Sequence, residues 1–429
     1  MRFTTYIPTI IGIRLTIFFV LCSILCNAQT RDSLDIKIGQ MILIGLPQPR
    51  VDSTVLKEVR EGKVGSIILF EKNIPAKNSY IELKKITWTY QEAAPIPLFI
   101  AIDQEGGKVN RLKEKYGFPR SLSAAKMGKY ALDSVRFYGE TTAATLAGLG
   151  INVNFAPVVD LASNPSNPII ATKERAFSAD PDSVALFAKE FIKQHRKLGI
   201  VTSLKHFPGH GSSKDDTHLG IADVTNTWNE KELIPYKNLI DSGYIDAVMT
   251  AHIVNKKLDE KGLPGTLSGK ITNDILRGKL HFDGVVFSDD MQMHAITKHY
   301  PLEDAILMAI NGGVDILTFS NNITGSQERA ADKVHQIIRK FVENGTISKE
   351  RIDQSYKRIM KLKGRLNNAG AEYYKREMIK AQAESKRLEY LAELNQRQAK
   401  EAAQKAEEHA KQMEKEEKKS KKKKKKSSD

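Results

Sequence analysis

Cysteine is almost absent from this chain of 429 residues: there are two, Cys22 and Cys26, both near the N-terminus. They fall in the apolar stretch IIGIRLTIFFVLCSILCNA, residues 10–28. A basic start at Arg2, an apolar run and a small residue before Gln29 describe a signal peptide cleaved after Ala28. Arg14 interrupts the run, and the remainder is shorter than the roughly 20 residues a spanning helix needs. The processed chain would hold no cysteine, which excludes disulfides, thiolate catalysis and cysteine-ligated zinc. Export to the periplasm or beyond is the expected destination.

Other absences narrow the field further. No glycine-rich dinucleotide fingerprint follows the first apolar strand, which argues against a doubly wound open sheet. No lysine-bearing phosphate loop is present, and the spacing of His206, His210, Asp216 and His218 matches no compact zinc pattern. Neither a metal nor a cofactor is expected. Beyond Gly370 there is neither glycine nor proline. That segment is rich in Ala, Glu, Lys and Gln, with Glu–Lys pairs at helical spacing. It carries roughly six of the formal +15 charges and ends in a run of lysines. A solvated helix with a disordered polylysine end is expected, able to adhere electrostatically to acidic envelope polymers. No specific nucleic-acid contact is expected. The expected organisation is a signal peptide (1–28), a main domain (29–368) and a charged tail (369–429).

What is present between about residues 35 and 365 is an alternation. Eight short apolar runs, at 39–46, 64–70, 96–103, 151–160, 201–207, 247–253, 284–290 and 314–320, alternate with segments of helical period. Runs apolar nearly throughout suit parallel strands buried on both faces. One intervening helix, 181–199, has Asp182 or Ser183 to cap it and Gly199 to stop it. Eight such units define an α/β fold of the (β/α)8 TIM-barrel type, whose active sites lie at the C-terminal ends of the strands.

Polar residues gather at those ends. DQEGGKVNR follows the third strand, NFAPVVD closes the fourth and KHFPGHG the fifth; TAH and SDD end the sixth and seventh. Any one could be a helix cap; five facing one mouth describe a pocket. Within KHFPGHGSSKDDTH, Asp216 and His218 stand two apart. In an extended segment they share a side, so the carboxylate can hold the imidazole and raise its proton affinity. Such a pair donates and accepts protons near neutral pH. His210, among glycines, is expected to shape the turn.

The motifs DQEGGKVNR, NVNFAPVVDL, KERAFSADP, KHFPGHGSSKDDTH, VMTAHI and GVVFSDDMQM, in this order, resemble glycoside hydrolase family three. Within it they look most like the bacterial β-N-acetylglucosaminidases (β-N-acetylhexosaminidases) that trim cell-wall muropeptides. The resemblance implies a retaining mechanism through a covalent glycosyl–enzyme intermediate. It implies Asp289 as nucleophile, with Asp290 turned away by strand alternation, and His218 as acid/base oriented by Asp216. It places sugar binding on Asp103, Arg111, Arg175, Lys205 and His206, with His252 lining the same pocket. A structural Asp103–Arg175 ion pair at the barrel rim is the bland alternative. Lys108 stands where the family often has Arg. Glucosidase relatives often add a second α/β domain that supplies their acid/base; the charged segment after this barrel has no room for one, which agrees with the loop pair and argues for N-acetylglucosamine. The resemblance leaves open a β-glucosidase, a β-glucosaminide phosphorylase or a non-catalytic envelope-binding protein.

Overall fold

The computed structural model describes residues 33–217, 220–322 and 330–366, with isolated positions 390, 396, 397 and 404 beyond. The expected signal peptide, His218 and nearly all of the expected tail lie outside the described residues. The chain divides into two compact units, Met1–Ala371 and Glu372–Asp429, and almost everything described belongs to the first.

The strands are β1 (Ile42–Gly45), β2 (Ser66–Leu69), β3 (Phe99–Ile102), β4 (Val153–Asn154), β5 (Val201–Phe207), β6 (Ala222–Asp223), β7 (Ala247–Thr250), β8 (Ile253–Val254), β9 (Val285–Asp290) and β10 (Ile316–Phe319). Eight close a parallel barrel in the order β1-β10-β9-β7-β5-β4-β3-β2, while β6 and β8 pair with each other. Each of the eight lies inside a run picked out by its apolar composition. The (β/α)8 expectation holds. Barrel strands are buried from end to end except at Asp289 and Asp290, which close β9 half-buried. Burying a Val, Leu or Ile side chain contributes about 1.5–3 kcal/mol, so these short strands are held chiefly by what covers them.

The helix Pro181–Lys197 shows how the covering layer is built. Asp180, not the expected Asp182 or Ser183, caps it by accepting the Ser183 amide at 2.8 Å. Pro181 fits because its first position needs no amide donor. Val184, Ala188, Phe191 and Ile192 then face inward at helical spacing. Gly199 follows at φ 72°, a conformation glycine adopts without strain.

Inside the barrel Phe287 meets Phe99 and Phe155 edge-on, with ring centroids 6.2 and 5.1 Å away. The Lys363 ammonium sits 4.9 Å from the Phe99 ring and donates to Gln40 Oε1 and the Gly65 carbonyl. Two aspartates stand just before barrel strands at this N-terminal end. Asp246, before β7, accepts the Thr202 amide at 3.0 Å and pairs with Arg196 and Arg365. Asp315, before β10, accepts the Val286 amide at 3.0 Å and pairs with Arg277, Arg351 and Arg358.

Candidate active site

At the opposite end the strand termini surround a cavity of about 750 Å³, in the range of small-molecule sites. Phe155 lines it, together with Asp103, Arg111, Arg175, Lys205, His206 and Asp289. Six of the nine residues expected at the site therefore share one pocket.

Their contacts form a compensated charge cluster. Lys205, 2% exposed, reaches Asp103 at 2.8 Å and Glu105 at 2.7 Å. Arg111 meets the other Asp103 oxygen at 3.3 Å, and its guanidinium lies 5.5 Å from the Phe70 ring. Arg175 grips Glu105 through two bonds of 2.8 Å and also donates to the Ile169 carbonyl. The Asp103–Arg175 pair considered from sequence is thus a Glu105–Arg175 pair. Burial acts to raise the Asp103 pKa, but the charges of Lys205 and Arg111 outweigh it and hold the carboxyl well below the usual range. Glu105 behaves alike: Arg175 and Lys205 overcome burial and bring it to about 2. Both carboxylates are therefore ionised acceptors, suited to a ligand's hydroxyl groups.

His206 is held from two sides. Asp160, fully buried, sits 2.6 Å from its Nδ1, and Arg175 lies 3.1 Å from its Nε2. A carboxylate only accepts and a guanidinium only donates, so Nδ1 carries the proton and Nε2 accepts. Both ring nitrogens are already bonded to protein. His210, expected to shape the turn, donates its amide to Asp160 at 2.8 Å. Its ring is buried beside His206, and burial pushes it down to about 4.

Strand alternation does not separate Asp289 from Asp290: both line the cavity. The β9–β10 register shifts between Ile316 and Thr318, and that irregularity breaks the two-residue period. The same happens on β5, where the register with β7 shifts between Leu204 and Phe207 and the neighbours Lys205 and His206 both face inward. Asp290 differs from Asp289 in its partners. It accepts the Ser320 and Gln292 amides at 3.1 Å and the Ser320 hydroxyl, and burial raises its pKa.

His252 is corrected. It is fully buried and absent from the cavity wall, with both ring nitrogens bonded, to Thr266 and to the Asp290 carbonyl. Asp216 is described, and its neighbour Thr217 lines the cavity, which brings the loop to the mouth. Sequence reasoning missed Glu105, although it stands two residues from Asp103 within DQEGGKVNR, the spacing that shares a strand face. It also missed Asp160, which ends NFAPVVD.

A closed parallel barrel with carboxylates and cations gathered in a cavity at its C-terminal strand ends has the architecture of a barrel enzyme. Residues 33–362 match the family described as the glycosyl hydrolase family 3 N terminal domain. The chain belongs to that family and is a glycosidase. A β-hexosaminidase of Tolumonas auensis is 36% identical over 282 residues, covering 64% of this chain and 81% of that one. β-Hexosaminidase A of Pseudoalteromonas piscicida is 32% identical over 331 residues, 72% of this chain; the match spans 54% of that relative. Among solved structures, a family 3 β-N-acetylglucosaminidase from Paenibacillus sp. FPU-7 superposes with a TM-score of 0.72 at 30% identity, covering 80% of this chain and 68% of that one. A β-N-acetylhexosaminidase from Beutenbergia cavernae gives 0.70 at 27% identity, covering 77% and 98%.

Proposed function

We propose that this protein is an exo-acting, retaining β-N-acetylglucosaminidase that removes terminal β-linked N-acetylglucosamine from peptidoglycan fragments or chitooligosaccharides. The observation that carries the reading is Asp289 at the end of β9, on the wall of the same cavity as the Asp103–Lys205–Glu105–Arg175 cluster. The cluster holds the terminal sugar through its hydroxyl and amide groups. Asp289 attacks the anomeric carbon and forms a glycosyl ester, while the departing oxygen takes a proton from His218, oriented by Asp216. Water then attacks the same carbon, gives its proton to His218 and frees the Asp289 carboxylate.

The mouth favours an anionic leaving portion. Lys108 donates to the Thr172 carbonyl at 2.8 Å, and Lys173 stands beside it on the cavity wall. Neither pairs with a carboxylate among the described residues. Two such cations suit a carboxylate-bearing peptidoglycan fragment better than a neutral chitooligosaccharide. On this reading the protein acts outside the cytoplasm, and its Lys-rich end adheres to acidic envelope polymers.

The decisive assay compares nitrophenyl β-N-acetylglucosaminide with nitrophenyl β-glucoside, each with and without phosphate. Turnover of the N-acetyl substrate, indifferent to phosphate, is expected. Preference for the glucoside would sink the sugar assignment, and a phosphate requirement would make the enzyme a phosphorylase. Release of N-acetylglucosamine from purified cell-wall fragments checks the natural substrate.

A further inference from the structure

The ladder between β7 and β9 pairs Ala247 with Val285, Val248 with Val286 and Met249 with Phe287, and stops there. On its other side β9 pairs with β10 at Phe287 and then at Asp290, across a register shift. Ser288 to Asp290 thus lack a regular main-chain partner on the β7 side, in the segment that has to hold Asp289.

A side chain bridges that interval. His252 lies two residues past β7, and its Nε2 is 2.9 Å from the Asp290 carbonyl oxygen. A carbonyl only accepts, so Nε2 carries the hydrogen. Its Nδ1 meets the Thr266 hydroxyl at 2.8 Å, and that hydroxyl also lies 2.8 Å from the Thr250 hydroxyl and 3.2 Å from the Ala251 carbonyl. All three side chains belong to fully buried residues. The imidazole is thus held on both sides, by the Asp290 carbonyl and by the Thr266 hydroxyl. The amide of Asp290 donates to Asp289 Oδ1 at 2.8 Å. One residue is gripped at its carbonyl by His252 while its amide holds the carboxylate next to it.

We propose that His252 is a positioning residue for Asp289, replacing the missing ladder bond of β9 with a side-chain bond and so aiming the carboxylate at the anomeric carbon. The inference rests on Asp289 being the nucleophile. It is tested with His252→Phe, which keeps a ring and removes both bonds, and His252→Gln, whose amide can still donate to the carbonyl. On nitrophenyl β-N-acetylglucosaminide, His252→Phe is expected to lower kcat about 10- to 100-fold, the scale of a small misplacement. KM should stay within about threefold, and His252→Gln should recover most of the loss. A folded His252→Phe enzyme with kcat within about twofold of the unaltered protein overturns the proposal, as does a loss carried by KM alone. If His252→Phe does not fold, Thr266→Val carries the test. It leaves the imidazole in place and removes only the hydroxyl that orients it; an expected loss of about 3- to 10-fold in kcat supports the proposal, and an unchanged kcat overturns it. Failure of the underlying reading looks different: Asp289→Asn would then keep its turnover whatever His252 does.

Discussion

At the N-terminal end of the barrel, Asp246 and Asp315 each take a strand amide and two or three arginines. At the C-terminal end, Asp103 and Glu105 take no arginine-rich cage but share one lysine, and each adds a single guanidinium. The first arrangement exhausts its carboxylates on the fold. The second leaves charged groups on the wall of a cavity, where a ligand's hydroxyls can join them. On the proposed reading the same residue types serve anchoring at one end and recognition at the other, and what separates them is whether the partners close the shell.

Substitutions at the two ends sharpen this contrast. Asp289→Asn is expected to lower kcat by about 10⁴-fold, as loss of a nucleophile does, with the thermal unfolding midpoint unchanged; a folded variant with substantial turnover breaks the assignment. Asp315→Asn should do the reverse. It strands Arg277, Arg351 and Arg358 around a neutral amide and should cost about 3–5 kcal/mol in urea unfolding, with kcat preserved wherever the protein stays folded. Glu105→Gln tests the recognition end: kcat/KM is expected to fall on the order of 10- to 100-fold as Arg175 and Lys205 lose their fixed positions. If it instead lowers stability and spares kcat/KM, the upper cluster is an anchor like the lower one.

The smallest effect concerns Lys363. Burial lowers its pKa from the ordinary 10.5 to about 7. Between those values the unfolded chain binds a proton that the native protein does not, so this group makes stability rise with pH across that window. Unfolding free energies measured from pH 7 to 10 should show a shallower rise in Lys363→Met than in the unaltered protein. Parallel curves would mean that the ammonium is not buried as described.

Much of this was legible in the residues. Strands buried on both faces cannot alternate, so most of the eight barrel strands stand out as runs apolar nearly throughout, and the barrel frame then sends Asp103, Lys205 and Asp289 to one mouth. What escaped depends on register. Strand periodicity assigns Asp289 and Asp290 to opposite faces, and no local pattern announces the shift on β9 that brings both to the cavity. His252 looked like a pocket residue because it follows a strand end; its burial comes from Thr266 and from β9, neither of which its own segment encodes. Asp180 won the helix cap over Asp182 because Pro181 takes the first helical position and leaves the cap to the residue before it.

The proposed acid/base pair is carried differently from the rest of the site. Asp103 and Glu105 follow β3 closely, while Lys205 and Asp289 belong to strands of the closed barrel. Asp216 comes nine residues after β5 ends at Phe207, on the loop whose Thr217 reaches the cavity. On the proposed assignment, sugar recognition and nucleophilic attack are tied to the strands, and proton delivery to the β5 loop, which Asn164 and Asn167 fasten through the Ser213, His210 and Gly211 carbonyls. For an engineer the point to vary is then the stretch from Lys214 to Thr217, beyond the buried His210 and Ser213 that fasten the loop beside Asp160.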